Sequence, residues 1–329
     1  MSRAKLLKSI ASTIKDYRNG EVPEPDPDHV ARWVSQFEEQ VRDALLTELD
    51  HVLKRTYISK NSVEGFLRQL TSNEQLVGKK PKEFWKRAGI LNIQLAGNSQ
   101  EEMLSTFDEA LQQQHDISLD DCDGSSGTYL YIDDIVFSGG HVKNDLSRWI
   151  ETNAPQNADV HIVTMAFHLG GQYYANLEIA KSAQRHKKNI RTHWWRIFAV
   201  ENRRRYINQS DILSPTRIPN HELTRQYAIK LGAEGYPPIL RQGNSIGDAK
   251  FFSSGEGRES LEQEFLKAGT NIRNQCPNLN DYQRPLGNMV LRTLGFGGLI
   301  VTFRNCANNC PLAFWVGDPW YPLFERKTN

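Results

Sequence analysis

Residues 129–142 read Tyr-Leu-Tyr-Ile-Asp-Asp-Ile-Val-Phe-Ser-Gly-Gly-His-Val, and they restrict the fold more than any other stretch. An apolar run bounded by turn signals predicts a strand covered on both faces, as in a parallel sheet. Asp133 and Asp134 fall where that strand is expected to end, the place where open α/β sheets bind their ligands. Ser138, Gly139, Gly140 and His141 then form a small-residue turn ahead of a helix. Such a turn lets backbone N–H groups approach an anion, and the helix N-terminus adds a positive field. The plain alternative is a glycine turn that only caps the next helix. The whole arrangement, rather than Ser-Gly-Gly alone, favours a ligand pocket.

The flanking pattern supplies the rest of a sheet. A strand is expected over 90–95, a small-residue turn at Gly97, Asn98 and Ser99, and a helix over 101–111. Further helices are expected over 144–152 and 173–185, and further strands over 160–167 and 190–195, with Gly170-Gly171 breaking the chain between them. This alternation predicts an α/β fold with a doubly wound parallel sheet. Before it lie a short helix over 1–18, a breaker-rich linker, and one long amphipathic helix capped by Asp28 and running from His29 toward Tyr57, then a second after Asn61 or Ser62. After it, glycine and proline punctuate 207–258, which reads as a loop-rich insertion, followed by a helix over 259–274 and a strand over 299–303. The expected division is a helical extension over 1–88, an α/β core over 89–206, and a loop-rich insertion with the C-terminal part over 207–329.

Composition narrows the class. With 39% hydrophobic and 24% charged residues and a net charge of +1, the 329-residue chain is a globular protein without a global field for nucleic acid or an acidic membrane. No apolar run approaches the roughly 18 residues that span a bilayer, so a cytoplasmic protein with no membrane partner is expected. Cys122, Cys276, Cys306 and Cys310 form no disulfide framework, and the Cys306-x₃-Cys310 spacing lacks a second ligand pair for zinc.

Two further segments carry chemistry. Between 181 and 205, nine Lys and Arg residues, among them Arg196, Arg203, Arg204 and Arg205, face only Glu201, with Trp194 and Trp195 interleaved and Tyr206 following. Basic residues with aromatics bind nucleic acid or an anionic partner; a solvated basic face is the common alternative. Near the C-terminus, Asn308, Asn309 and Trp315 offer amides and a flat ring to a base or ribose. On local grounds alone, an asparagine-rich turn beside core aromatics is the favoured reading.

The 129–142 stretch resembles the phosphoribosyl pyrophosphate loop of type I phosphoribosyltransferases: four hydrophobic residues, two acidic, two hydrophobic, then a phosphate turn. The resemblance implies a phosphoribosyltransferase-like, Rossmann-like parallel sheet. It gives Asp133 and Asp134 the ribose hydroxyls, directly or through Mg²⁺, and Ser138, Gly139, Gly140 and His141 the 5′-phosphate. By position, Gly97, Asn98 and Ser99 match the pyrophosphate turn, for which an ordinary tight turn is the alternative. Phe137 and His141 depart from the pattern, which usually has a small or hydroxyl residue and a threonine there. Together with the helical N-terminal piece and the terminal Asn-Cys-Ala-Asn-Asn-Cys-Pro-Leu-Ala-Phe-Trp, the loop is similar to phosphoribosyltransferase-like proteins of bacterial conflict and antiphage systems, retrons included. That resemblance implies an effector or accessory subunit beside a reverse transcriptase and its noncoding RNA and DNA.

Two functions therefore stand at this point. One is an enzyme-type effector binding phosphoribosyl pyrophosphate or a nucleotide, with transfer or glycosidic-bond cleavage as its chemistry. The other is an inert nucleotide- or nucleic-acid-binding module. Ordinary nucleotide salvage is a third and weaker reading.

Overall fold

The computed structural model describes residues 1–95 and 99–327. In chain order the N-terminal elements are α1 (Arg3–Thr13), α2 (Pro27–Val34), α3 (Arg42–Thr56), β1 (Tyr57–Ile58), α4 (Lys60–Thr71), α5 (Glu74–Val77) and α6 (Pro81–Arg87). The central ones are β2 (Gly89–Ile90), α7 (Ser99–His115), β3 (Thr128–Val136), α8 (Gly140–Thr152), β4 (Asn157–His168), α9 (Leu169–Arg185), β5 (Asn189–Trp195) and β6 (Phe198–Val200). The last are α10 (Glu222–Ala233), α11 (Gly255–Gln275), β7 (Gln283–Arg284), β8 (Gly287–Asn288), β9 (Val301–Thr302) and α12 (Leu312–Trp315). The chain divides into two compact units, one of residues 61–200 and one of residues 1–60 with 201–329. Residues 61–88 fall in the same unit as the sheet.

In the unit of residues 61–200, β2, β3, β4 and β5 pair in parallel in that order, and β6 continues the edge beside β4. The α/β class and parallel pairing match expectation. The doubly wound order does not: among the described strands the order never reverses. Alternation of strand and helix fixes parallel pairing but not the direction in which the next strand is added. One face of the sheet is built from Tyr131, Val160 and Ile162, packed with Val142, Leu146 and Ile150 of α8 and Ala175 and Ile179 of α9. Leu130 and Ile132 on the opposite face are also buried, so β3 is covered on both sides. The α6 helix is anchored by Trp85, which is fully buried and donates from Nε1 to the Thr71 carbonyl at 2.8 Å.

In the other unit the long helix expected from His29 is two helices. Its apolar periodicity persists because both pieces pack against α1, but the chain is interrupted at 35–41. There Arg42 donates to the carbonyls of Phe37 at 2.9 Å and Ser35 at 2.7 Å, taking acceptors that a continuous helix would have used. The N-cap of α2 is Asp26, not Asp28: Asp26 Oδ1 accepts from the His29 N–H at 2.7 Å, with Pro27 in the first helical position. Trp33 is buried and donates to the Ala313 carbonyl at 2.8 Å, joining α2 to the C-terminal part. The expected strand over 299–303 is the short β9, paired in parallel with β1.

The region 207–258 is less irregular than its composition implies. It contains α10, and its loops hang on a buried ionic centre. Arg258 and Arg241 both bond Glu262, at 2.8 and 3.1 Å, with all three side chains buried. Arg258 also donates to the carbonyls of Ser210 and Ile212 at 2.8 Å, and Glu262 accepts the Ser214 N–H at 2.9 Å. Loop backbone that lacks a ladder is satisfied by guanidinium and carboxylate instead.

Candidate functional site

The site is assembled on β3 in the unit of residues 61–200. The strand runs to Val136, beyond the acidic pair, because β4 pairs with it on one side as far as Val136 opposite Phe167. On the other side β2 supports it only at Tyr129 and Leu130. The carboxylates therefore lie inside the strand but past the end of its β2 partner.

Asp133 is 4% exposed. Its Oδ1 accepts from the Ser99 hydroxyl and from the Asp134 N–H, both at 2.9 Å. Burial, then the neighbouring Asp134 charge, pushes its carboxyl up to about 7, while the Ser99 bond works in the opposite direction. Asp134 is half-buried and its Oδ1 accepts the Ile135 N–H at 2.6 Å. Asp145, on α8, accepts from the Tyr131 hydroxyl at 2.9 Å, and burial raises its carboxyl as well.

The glycine turn follows directly. Gly139 has φ +78°, and a Cβ there would overlap the Gly171 carbonyl oxygen; a Cβ on Gly171 would in turn overlap the Phe137 carbonyl oxygen. The turn and the first turn of α9 are thus pressed backbone to backbone, which only glycine allows. Gly170-Gly171, expected as a break between strand and helix, lies within α9 and serves this contact. Ser138 is exposed, and its hydroxyl accepts the Gly140 N–H at 3.4 Å. His141 is exposed on the first turn of α8. The turn thus leads directly into the N-terminal end of α8. Phe137 faces inward and stacks on His168 at 4.7 Å. Burial lowers His168 to about 4, so its ring is neutral, and Nδ1 lies 3.0 Å from the Val136 carbonyl. The departure at Phe137 is thereby a packing feature.

Of the pyrophosphate-turn candidates, Gly97 and Asn98 lie outside the described residues, whereas Ser99 opens α7 and touches Asp133. Asn308, Asn309 and Trp315 belong to the other unit. There Trp315 is 8% exposed and donates to the Cys310 carbonyl at 2.9 Å, and Asn309 donates to the Asn288 carbonyl at 2.9 Å. Arg196 belongs to the sheet unit and lies over the Phe167 ring at 4.9 Å, while Arg203, Arg204 and Arg205 belong to the other. Arg203 pairs with the buried Glu201 at 2.5 Å, and Arg203 and Arg205 both lie against the Tyr206 ring. Within the 181–205 run, Lys181 pairs with Glu178, and Arg191 with Asp159. Cys306 and Cys310 are buried free thiols. Among the described residues no group of three His, Cys, Asp or Glu side chains is placed to hold a metal ion, and no helix is long and apolar enough to cross a membrane.

Sequence reasoning missed four residues here: Gln100, whose buried amide donates to the Ile132 carbonyl at 3.1 Å and accepts the Ile93 N–H at 2.7 Å; Gln94, which donates to the Ser99 hydroxyl at 2.9 Å; Asp145; and Gly171. Only Gly171 left a signal, a second Gly-Gly pair following the next strand. The others act through contacts that no spacing rule announces.

A parallel sheet carrying an acidic pair, Asp133 buried and Asp134 half-buried, then a glycine turn opening a helix, defines a phosphoribosyltransferase-like α/β protein. The chain belongs to the PRTase-CE family, whose model matches residues 30–326. No curated protein and no solved structure matches it significantly.

Proposed function

We propose that the protein is a phosphoribosyltransferase-like effector or accessory subunit of a bacterial antiphage system of the retron type, and that it binds phosphoribosyl pyrophosphate or a nucleotide at Asp133, Asp134 and the 138–141 turn. The supporting observation is a buried carboxylate bonded at 2.9 Å by Ser99 on the strand that leads into a turn where Gly139 has no room for a Cβ. Asp133 and Asp134 would orient the ribose hydroxyls. The amides at the start of α8 would take the 5′-phosphate, with His141 as an added donor. Carboxylates suit Mg²⁺, a hard cation that commonly binds through one or two of them plus substrate phosphates. Bound there through Asp133 and Asp134, it would neutralise charge on the leaving pyrophosphate. No protein nucleophile is required, because transfer to an acceptor or to water proceeds through an oxocarbenium-like ribose that positioning and charge stabilise.

In this account the partners are a reverse transcriptase with its noncoding RNA and DNA, and the compartment is the cytoplasm. The test is phage protection in cells carrying the neighbouring genes, with wild type compared against Asp133→Asn/Asp134→Asn at matched protein levels. Loss of protection supports ribose-directed chemistry; full protection from the folded double variant refutes it. A second reading, a module that only binds nucleic acid or a partner, is favoured by the exposed Arg204 and Arg205 beside Tyr206.

A further inference from the structure

The glycine turn is gripped by residues of the β4–α9 junction. His168 ends β4, directly precedes α9 and has no exposed surface. Burial keeps its ring neutral. Its Nδ1 lies 3.0 Å from the Val136 carbonyl, which can only accept, so the proton sits on that nitrogen and is donated there. Held by that bond, the imidazole lies flat against Phe137, with ring centroids 4.7 Å apart and planes 25° from parallel. Three residues on, a Cβ at Gly171 would overlap the Phe137 carbonyl oxygen, and the Gly171 carbonyl oxygen leaves no room for a Cβ at Gly139. Phe137 is thus held twice, by its ring and by its backbone. The close approach at Gly171 limits how near the turn comes to α9, and the ring pair keeps it there.

We propose that His168 is a positioning residue for the phosphate, a buried flat shelf on which Phe137 seats the 138–141 turn at the start of α8. Position 137 is where the phosphate-turn pattern usually has a small or hydroxyl residue. A phenylalanine there needs an aromatic or apolar surface to lie on, and the imidazole supplies it, with its one bond to Val136 fixing the plane. The turn passes its position on to α8 through the Gly139 carbonyl, which accepts the Lys143 N–H at 3.0 Å. His168 itself is buried behind the turn and acts only through it. That the turn takes a phosphate rests on the phosphoribosyl reading; the shelf rests on geometry alone.

The experiment is calorimetric titration of the full-length wild type, His168→Asn and His168→Phe with ribose 5-phosphate. Asparagine keeps a donor near the Nδ1 position and removes the ring; phenylalanine keeps a ring and removes the donor. Affinity is expected to fall about tenfold in His168→Asn, the upper end of what one aromatic pair is worth, and to stay within about threefold of wild type in His168→Phe. Both variants are expected to melt at lower denaturant, because one leaves a void and the other takes a donor from the Val136 carbonyl. A role in stability alone would move affinity in both variants or in neither, and either result overturns the shelf. If the wild type binds no ribose 5-phosphate, the phosphoribosyl reading fails, and amide exchange decides the shelf by itself. The Lys143 amide is then expected to exchange at least about tenfold faster in His168→Asn and within about threefold of wild type in His168→Phe. The same change in both, or in neither, overturns it. Should a His168 variant not fold, Phe137→Leu removes the other ring of the pair at little loss of apolar volume. Its ribose 5-phosphate affinity, or its Lys143 exchange rate, is expected to change about tenfold; an unchanged value sinks the proposal.

Discussion

Replacing Asp133 by Asn is expected to stabilise the protein while removing its ligand affinity, and the size of the gain should depend on pH. In the folded chain the Asp133 carboxyl titrates at about 7 rather than near 3.8, because it is buried beside Asp134. The sign follows from proton counting. Between about pH 4 and 7 the unfolded chain has released this proton and the folded chain still holds it, so stability falls as pH rises across that window. At 1.36 kcal/mol per pH unit the full penalty is at most roughly 4 kcal/mol above pH 7, and about half of it accrues between pH 5.5 and 8. Asparagine keeps an acceptor for the Ser99 hydroxyl and the Asp134 N–H, the two bonds now made by Oδ1. Denaturant unfolding of wild type and Asp133→Asn at pH 5.5 and 8, with the buffer ionic strength held constant, is the assay. The variant's advantage should grow by about 2 kcal/mol from the lower to the higher pH. A variant equally destabilised at both pH values would show that Asp133 is ionised throughout and that burial does not govern its charge.

Other consequences can be read the same way. Gly171→Ala places a methyl on the Phe137 carbonyl oxygen; it is expected to cost on the order of 2 kcal/mol in unfolding free energy and to abolish phosphate binding measured by ³¹P line broadening. Glu262→Gln leaves Arg241 and Arg258 buried without their counter-charge and should cost about 3 kcal/mol or more in a thermal or denaturant melt. Arg204→Ala/Arg205→Ala, which spares the Arg203–Glu201 pair, should lower the salt slope of nucleic-acid binding in filter or anisotropy assays if that surface carries the contact. An unchanged slope would remove the patch from consideration.

The sheet was legible because its strands are short apolar runs bounded by turns, and β3, β4 and β5 fall close to where those runs lie. Asp133, Asp134 and the 138–141 turn could be singled out from sequence for a related reason: their spacing is local and their order fixed, and the structure places them on β3 and at the start of α8. The unread parts depend on contacts distant in sequence. Gln100 truncates β2 by inserting a side chain into a ladder, and nothing in residues 90–95 signals it. Arg42 interrupts a helix whose apolar period continues past the break, so periodicity alone joins α2 to α3. The 207–258 region looked structureless because its order comes from Arg241, Arg258 and Glu262, whose ion pairs replace secondary structure. The strand order of the sheet was misread because alternation is silent on the direction of winding.

The central claim is that the acidic pair and the glycine turn form one phosphoribosyl pocket. Its most direct test is calorimetric titration of the full-length protein with phosphoribosyl pyrophosphate, with and without Mg²⁺, alongside Asp133→Asn/Asp134→Asn. Mg²⁺-dependent one-to-one binding that the double substitution abolishes is the predicted result. Binding of equal strength to the folded double variant, or none to the wild type, would contradict it.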